Sequence, residues 1–112
     1  MKKIEAIIRP ESLEAVRNAL NIAGVTGLMI SEIEGHGKQK GVVQQWRGEK
    51  YKVELLPKAK IEIIVKDQDI GRICKAIIDN ARTGEMGDGK IFIYPVEDAI
   101  RIRTGEKGEG AV

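Results

Sequence analysis

A glycine-rich segment at residues 81–90, ARTGEMGDGK, has the clearest chemical meaning in this chain. Its glycines can adopt backbone conformations that turn consecutive N–H groups toward one point, and such an arrangement binds anions. A cation stands near each end of the segment. The segment is not a Walker A loop, because that motif places its lysine at the start of a helix, whereas Lys90 begins an apolar run typical of a strand. The alternative is a glycine-rich turn without a ligand. The residues concerned are Arg82, Gly84, Gly87, Gly89 and Lys90.

Two arginines near the C-terminal end alternate with isoleucines in Ile100-Arg101-Ile102-Arg103. A short extended segment would place both guanidinium groups on one face of the chain. Paired arginines suit a polyphosphate or a carboxylate, and together with Lys90 and the glycines they would neutralise a nucleoside triphosphate. A solvated basic edge that discourages strand pairing is the alternative.

The sequence shows no arrangement of residues typical of an enzyme. There is no Ser-His-Asp or Cys-His combination, and Cys74 lies in the apolar stripe of a predicted helix, where a small buried hydrophobe is expected. His36 has no carboxylate or cysteine at ligand spacing, so no metal site is predicted there. An acylphosphatase-like enzyme would use Arg9, but no suitably placed Asn accompanies it. An RNA-recognition module needs aromatic side chains on its sheet, and aromatic residues are only 4% of the chain.

Length and charge indicate one small soluble domain. With 112 residues, the chain buries roughly two-thirds of its unfolded surface, which is enough for a core without disulfides or metal ions. Its net charge of +2 is too small for a typical nucleic-acid-binding protein. No secretory signal and no apolar run of membrane-spanning length is present, so a cytoplasmic location is expected.

The apolar pattern predicts two copies of a strand-helix-strand unit. The segments MKKIEAIIR and KIEIIVK are nearly repeats, 57 residues apart, and each precedes a helical pattern with Ser12 or Asp67 as its N-cap. The predicted strands are 1–9, 26–34, 60–66 and 90–94, and the helices end near Ile22 and Ala81. Tandem units of this kind give an α+β fold, a ferredoxin-like double βαβ sandwich with an antiparallel four-stranded sheet and both helices on one face. Within a single domain of residues 1–112, the repeats span 1–35 and 58–95, a long loop spans 36–57 and a C-terminal segment spans 96–112.

The connection at 36–57 is too long and too polar for an ordinary turn. Most connections have ~4–6 residues, and a ~20-residue loop without secondary structure is usually functional or disordered. Residues 37–54 contain five basic and two acidic residues, whereas the rest of the chain is near −1. Trp46 and Tyr51 lie near its tip. We interpret this loop as a surface that an acidic partner or ligand would contact, although charge alone equally fits a loop kept soluble by lysines.

The sheet face without helices is expected to carry apolar side chains. Strand alternation places Ile7 and Ile64 on that face, together with charged residues. An uncovered apolar patch favours another subunit as its cover. Isolated exposed aliphatic side chains are the alternative.

Several separated motifs, in this order, resemble the PII signal-transduction proteins of nitrogen regulation over essentially the whole chain. KKIEAIIRP opens the chain, GKQKG begins the long loop, RGEKY and LPK follow it, and IRIRTGE lies near the end. RTGEMGDGKIFI at residues 82–93 resembles the nucleotide-loop signature of that family. The resemblance implies a non-enzymatic homotrimer that binds ATP or ADP in clefts between neighbouring subunits.

The residues implied by the resemblance fall into two ligand sites. Phosphates are expected at Gly87, Gly89, Lys90, Arg101 and Arg103, and the nucleoside at Ile7, Gly35, Glu62 and Ile64. The full expected nucleotide set is Ile7, Gly35, Gly37, Lys38, Gln39, Glu62, Ile64, Arg82, Thr83, Gly84, Gly87, Asp88, Gly89, Lys90, Arg101 and Arg103. The expected 2-oxoglutarate set is Gln39, Lys40, Gly41 and Lys58, with Gln39 also holding Mg²⁺ when ATP and 2-oxoglutarate are bound.

The resemblance also implies partners for the long loop. Residues 37–55 would contact an ammonium transporter or an enzyme of nitrogen assimilation such as the glutamine synthetase system, so a membrane is met only through a channel partner and nucleic acid is not a partner. A competing class is a structural or metal-tolerance trimer of the same fold that binds no nucleotide. Such a protein would not need Lys90, Arg101 and Arg103 together.

Five positions depart from the pattern of the family. Uridylylated members usually carry Tyr-Arg-Gly-Ala/Ser-Glu-Tyr, whereas here Trp46 opens the motif and Lys50 reverses the charge beside Tyr51. Tyr51 therefore stays a candidate modification site. Met29 replaces a threonine that contacts adenine, and His36 replaces a usual phenylalanine. Glu49 occupies the position of a serine that is phosphorylated in other members, which excludes that modification.

Overall fold

The computed structural model describes the backbone of residues 1–46 and 49–112 and the side chains of residues 1–35 and 56–112. Four strands and two helices make up the fold. They are β1 (Lys2–Ile8), α1 (Leu13–Ile22), β2 (Met29–Trp46), β3 (Glu49–Val65), α2 (Ile70–Ala81) and β4 (Lys90–Pro95). Short 3-10 turns lie at Pro10–Ser12, Asp67–Asp69 and Gly108–Ala111.

The four strands form one antiparallel sheet in the order β2-β3-β1-β4. The central strand β1 pairs with β3 from Lys2↔Val65 to Ile8↔Ala59 and with β4 from Lys2↔Pro95 to Ile7↔Lys90. Each helix connects two strands of its own repeat and packs on the same face of the sheet. The predicted ferredoxin-like α+β fold is confirmed.

The core lies between this sheet face and the two helices. Period-two alternation buries Ile4, Ala6 and Ile8 of β1, and β3 contributes Ile61, Ile63 and Val65 in the same way. The helices contribute residues at three- and four-residue spacing. These are Val16 and Leu20 of α1, and Ile73, Ile77 and Ala81 of α2. The strand faces predicted from the sequence are therefore confirmed.

The cysteine of α2 packs against the edge of this core. Cys74 is half-buried beside it, and burial raises the pKa of its thiol. A thiol held in its neutral form is a poor nucleophile, as expected for a small apolar packing residue.

Of the two predicted N-caps, Ser12 occupies the N-cap position of α1 without capping it, and Asp67 is wrong because Asp69 occupies that position in α2. Ser12 makes no side-chain capping hydrogen bond, because the chain enters α1 through the turn Pro10–Ser12. Asp67 likewise begins a 3-10 turn before α2, and its carboxylate contacts the α-amino group of Met1 at 3.0 Å. In each repeat a backbone N–H of the turn bonds a backbone carbonyl instead, Ser12 to Arg9 and Asp69 to Lys66, each at 3.0 Å.

None of the helices in the described part of the chain is long and apolar enough to cross a membrane.

The connection predicted as a loop is instead paired as antiparallel strands. The β2–β3 register continues from Gly35↔Leu56 to Lys40↔Tyr51 and resumes at Gln45↔Lys50 and Trp46↔Glu49, with an irregularity between Lys40 and Gln45. The radius of gyration is 17.1 Å, against roughly 13 Å for a compact chain of this length. The paired segments of residues 36–46 and 49–57, called the ribbon below, therefore project from the sheet. Strand pairing satisfies backbone polar groups even where the side chains are polar, which explains the difference from the prediction.

Gly89 sits where the chain enters β4 against the end of β1. Its φ is +103°, and a Cβ at this position would lie 1.7 Å from the carbonyl oxygen of Ile7. No rotamer change relieves such a contact, because the backbone alone fixes the positions of the Cβ and of the carbonyl oxygen.

We therefore expect Gly89→Ala to destabilise the fold by more than about 2 kcal/mol, the order of cost for a strained backbone conformation. Urea unfolding at one fixed protein concentration measures this change. Gly71→Ala is the matched control, because it lies within α2 with nothing within 4 Å of its Cβ and should stabilise the helix by about 1 kcal/mol. Equal unfolding midpoints for Gly89→Ala and the wild type would contradict the close approach.

Candidate functional site

The segment that connects α2 to β4, residues 82–90, forms a compact loop that we call the glycine loop. Three of its residues have positive φ, at +88° for Gly84, +101° for Gly87 and +103° for Gly89. Residues that carry a side chain rarely adopt these φ angles, so this backbone path requires the glycines. The prediction that they take unusual conformations is confirmed.

The carboxylate of Asp88 lies inside the first half of the glycine loop. It accepts hydrogen bonds from the backbone N–H of Thr83 at 2.8 Å and of Gly84 at 2.9 Å, and from the Thr83 hydroxyl. These bonds, those from Thr83 first, hold the pKa of Asp88 far below its usual range. The N–H of Gly84 is therefore engaged within the loop, and Asp88 acts here as an acceptor that orders it.

Two cations from other strands hold the second half of the glycine loop. Arg9 follows β1, and its Nη2 donates to the carbonyl oxygen of Met86 at 2.7 Å while its Nε donates to Asp88 at 3.3 Å. Lys58 lies in β3, and its Nζ donates to the carbonyl oxygen of Gly87 at 2.6 Å. Two successive loop carbonyls thus point at cations.

The peptide N–H groups of Gly87 and Asp88 consequently face the other way. In a planar trans peptide the C=O and the next N–H point in opposite directions, so the bonds to Arg9 and Lys58 turn these two N–H groups outward. No hydrogen bond within the described part of the chain is donated by either of them. The exposed side chains of Arg82 and Lys90 flank them. Two free donors with flanking cations can bind an anion.

Other predicted site residues lie next to the glycine loop. Ile7 pairs with Lys90 across the sheet, and Gly35 lies against Lys58, whose Cγ would be 3.7 Å from an added Cβ. A groove of about 300 Å³ beside the loop is lined by Arg82, Asp88, Gly89 and Lys90 together with apolar residues of α2 and the sheet.

A second group of predicted residues lies farther along β3. Glu62 and Ile64 line a groove of about 480 Å³ that also includes Met29 and Val112. The Glu62 carboxylate contacts Lys3 at 2.7 Å and Lys60 at 3.7 Å. The hydrogen bond from Lys3 is the main reason why the pKa of Glu62 is lowered. This group therefore presents an ionised carboxylate beside apolar side chains.

The two C-terminal arginines do not form the predicted extended segment. A turn follows Arg101, with a hydrogen bond from the N–H of Gly105 to the Arg101 carbonyl at 2.7 Å, and Ile102 is fully exposed. The Arg101 guanidinium pairs with Glu106 at 2.8 Å and donates to the carbonyl of Gly110 at 3.2 Å. Arg103 is exposed in the same turn. The reason for the error is that Thr104 and Gly105 favour a turn, which strict alternation of isoleucine and arginine hides.

The C-terminal segment also lies at the other end of the sheet from the glycine loop. Val96 donates to the carbonyl of Met1 at 3.2 Å, whereas Lys90 pairs with Ile7 at the opposite end of β1. The two ends of β1 are roughly 17 Å apart, because an antiparallel strand rises about 3.4 Å per residue. Among the described residues no hydrogen bond or ion pair joins Arg101 or Arg103 to the loop. Within a single chain, therefore, Arg101 and Arg103 do not lie beside Lys90.

For several predicted site residues the structure describes at most the backbone. They are Gly37, Lys38, Gln39, Lys40, Gly41 and Tyr51, for which only the backbone pairing of some is described. Within the described residues, no group of three or more His, Cys, Asp or Glu side chains could hold a metal ion. The structure therefore leaves the expected Mg²⁺ contact of Gln39 as a prediction.

Arg9 is the residue of this site that the sequence reasoning missed. The sequence suggests a role for Arg9 only in an acylphosphatase-like reaction, yet in the fold it contacts residues 77 and 79 positions away in the chain. The signal was present in the topology, because the antiparallel pairing of β1 with β4 places the end of β1 beside the start of β4.

The Asp88 contacts give a prediction for the order of the glycine loop. Because the pKa of Asp88 is lower in the folded state, its contacts stabilise the protein at pH values above the ordinary aspartate pKa of 3.8. This stabilisation is lost as the pH falls through the lower pKa of the folded state. Asp88→Asn removes the charge at every pH. We expect faster amide exchange at Thr83 and Gly84 in this variant at neutral pH, measured by NMR. The control is Asp79→Asn, at an exposed pair with Lys75, and unchanged exchange at both amides in Asp88→Asn would contradict the assigned role.

Comparison with known proteins agrees with this fold. The profile of the nitrogen regulatory protein P-II family matches residues 1–106. A nitrogen regulatory protein P-II of Nostoc punctiforme is 55% identical over 112 residues, covering 100% of both chains. Nitrogen regulatory protein P-II 2 of Methanothermobacter thermautotrophicus is 52% identical over 112 residues, covering 100% of this chain and 97% of the relative. A third relative, the nitrogen regulatory protein P-II of Pasteurella multocida, is 51% identical over the full length of both chains. The chain belongs to the nitrogen regulatory protein P-II family.

Proposed function

We propose that this protein is a non-enzymatic, homotrimeric signal transducer that senses ATP or ADP and 2-oxoglutarate and regulates nitrogen assimilation through its ribbon. The observation that carries this proposal is the glycine loop, in which the N–H groups of Gly87 and Asp88 face outward between two exposed cations. Family membership supplies the regulatory role, and the loop supplies a chemically suitable phosphate site.

The phosphates of the nucleotide would meet the outward N–H groups and Lys90. Backbone N–H groups suit phosphate oxygens because they donate without a side chain that must be ordered on binding. Lys90 and Arg82 supply charge, and the Asp88 carboxylate is turned into the loop toward Thr83 and Gly84. The residues present therefore fit a polyphosphate.

The division of the site supports an oligomer. The residues suited to phosphate binding lie at the glycine loop. Glu62 and Ile64 instead line the second groove, and Arg101 and Arg103 belong to the C-terminal segment. A complete nucleotide site then requires the loop of one chain to face the second groove and the C-terminal segment of another. This arrangement is the cleft between subunits that a trimer provides.

Exposed apolar residues provide surface for such an assembly. The edge strand β4 exposes Phe92 by 45%, Ile93 by 48% and Tyr94 by 43%, and no strand of the described residues pairs with its outer side. Ile7 and Ile64 are half-buried on the face without helices. An exposed apolar edge of this kind favours contact with a further chain.

The nucleoside would lie between apolar side chains and the carboxylate of Glu62. Ile7 and Gly35 would come from the chain that supplies the glycine loop, and Glu62 and Ile64 from its neighbour. Met29 is 57% exposed at the rim of the second groove. Because a thioether has no strong donor, backbone groups would supply much of the base recognition.

The dicarboxylate 2-oxoglutarate would bind where the ribbon leaves the sheet. Lys58 pairs in register with Ile33, two residues before Gly35, and its ammonium group has three donors, of which the Gly87 carbonyl uses one. Lys58 can therefore still contact a carboxylate. Gln39, Lys40 and Gly41 would complete the site, and Mg²⁺, held by Gln39 and phosphate oxygens, would supply charge between the two ligands.

Signalling would act through the ribbon at residues 37–55. Ligands that contact its base would favour some conformations over others, which is a population shift. A cytoplasmic protein of this kind would contact an ammonium transporter or the glutamine synthetase system, with no nucleic acid involved. Tyr51 remains the candidate for uridylylation, and mass spectrometry of protein from nitrogen-starved cells tests it.

Calorimetric titration tests the nucleotide site. We expect ATP to bind the wild type and Lys90→Gln to bind at least about tenfold more weakly, the order of effect for losing one charge-assisted hydrogen bond. Lys75→Gln is the control, because Lys75 is exposed on α2 and contacts Asp79. ATP binding no stronger than a salt control in the wild type would reject the sensor and favour a structural trimer.

The 2-oxoglutarate site has a separate test at saturating Mg²⁺-ATP. Lys58→Ala should lose most of its affinity for 2-oxoglutarate, because a dicarboxylate would then lack its one described cationic partner. Lys75→Ala should bind as the wild type does. Full retention of 2-oxoglutarate binding in Lys58→Ala would show that the site is elsewhere.

Analytical ultracentrifugation tests the assembly. We expect a mass of three chains, about 37 kDa from the monomer mass of 12.4 kDa.

A second experiment measures ATP binding by trimers assembled from a mixture of the Lys90→Gln and Arg103→Gln chains. If the site is shared between chains, mixed trimers contain some sites that carry both substitutions and some that carry neither, so high-affinity ATP sites reappear. Failure to recover any high-affinity site would place the whole site within one chain.

A further inference from the structure

We propose that Arg9 is a positioning residue for the phosphate site, because it turns the anion-binding N–H groups of the glycine loop outward. This inference rests on the proposed function, since it assigns a role within the same site. Arg9 is a positioning residue because its described contacts go to the loop itself, and it acts on the anion through the peptide groups that it orients.

The contacts of Arg9 fix two residues of the loop, one on each side of Gly87, in different ways. One nitrogen, Nη2, donates to the Met86 carbonyl at 2.7 Å, and Nε donates to the Asp88 carboxylate at 3.3 Å. Between them lies Gly87, where an added Cβ would approach Nη2 of Arg9 to 3.3 Å. The guanidinium group therefore lies along the loop backbone from residue 86 to residue 88.

The bond to Met86 determines the direction of the neighbouring N–H group. The Met86 carbonyl and the Gly87 N–H belong to one peptide plane and point in opposite directions, so holding the carbonyl toward Arg9 holds the N–H toward the proposed phosphate. Lys58 acts in the same way on the next peptide through the Gly87 carbonyl. Arg9 differs from Lys58 because it also holds the Asp88 carboxylate, and thereby joins the two halves of the loop.

The geometry requires a guanidinium group. Its donors form a rigid planar fork that can serve a carbonyl and a carboxylate at the same time. The ammonium group of a lysine is a single point at the end of a flexible chain, and reaching both acceptors from this backbone position would not reproduce the fork. Arg9 and Asp88 are about equally exposed, at 24% and 23% of their side chains, so the pair lies at the surface of the fold, where its loss should not unfold the core.

The experiment compares two substitutions at Arg9 with two at a matched arginine. Arg9→Lys keeps the charge, and Arg9→Met keeps most of the length without the charge. The controls are Arg17→Lys and Arg17→Met, because Arg17 is exposed on α1 and contacts only Glu14, at 3.5 Å, among the described residues. Affinities for ATP and for adenosine are measured for each variant, and amide NMR shifts are recorded for Gly87 and Asp88 without ligand.

We expect both Arg9 variants to bind ATP at least about tenfold more weakly than the wild type, while adenosine binding stays within about twofold, because adenosine has no phosphate for the loop to hold. The amide signals of Gly87 and Asp88 should move in the Arg9 variants and stay in place in the Arg17 variants. Arg9→Lys should not restore ATP affinity, which separates orientation from charge.

Three results would overturn the assignment. Unchanged ATP affinity in Arg9→Met would show that the loop keeps its orientation without Arg9. An equal loss for ATP and adenosine would indicate a general structural defect, and full rescue by lysine would indicate a charge effect only. Each of these leaves the proposed function standing, whereas wild-type protein that fails to bind ATP rejects the proposed function itself and this role with it.

Discussion

The close approach of Gly89 to the end of β1 is the constraint on which the site depends. The carbonyl oxygen of Ile7 occupies the space that any Cβ at residue 89 would need, so the chain enters β4 in direct contact with β1. This contact starts the β1–β4 register at Ile7↔Lys90. It also fixes the position of Arg9, two residues beyond Ile7, relative to the glycine loop. The loop is thereby anchored to the central strand of the sheet.

Within the loop, an internal carboxylate and two external cations divide the polar groups between structure and binding. Asp88 uses the N–H groups of Thr83 and Gly84, which would otherwise attract solvent or a ligand. Arg9 and Lys58 use the carbonyls of residues 86 and 87. The N–H groups of Gly87 and Asp88 are held in direction by these bonds but are not themselves bonded within the described chain. Preorganised donors of this kind cost little to order when an anion binds.

The sequence predicted the features that depend on local pattern and missed those that depend on competition between contacts. Period-two alternation correctly assigned the buried face of β1, and three glycines correctly marked an unusual backbone. The side-chain caps expected of Ser12 and Asp67 are not made, because each helix follows a short turn whose own backbone N–H and carbonyl groups are bonded to each other. The turn after Arg101 and the contacts of Arg9 depend on partners elsewhere in the fold, so spacing along the chain contained too little information to find them.

The position of Lys58 indicates how events at the glycine loop can reach the ribbon. Its side chain bonds Gly87, while its backbone belongs to β3, the strand that continues into the ribbon and pairs with β2 beside Gly35. Gly35 packs against the Lys58 side chain. A ligand that changes the bonding of Lys58 therefore acts at once on the loop carbonyl and on the base of the ribbon. Because the two strands of the ribbon are paired residue by residue from this base as far as Lys40↔Tyr51, a small rotation at the base is carried outward along that paired stretch, as the proposed sensing function requires.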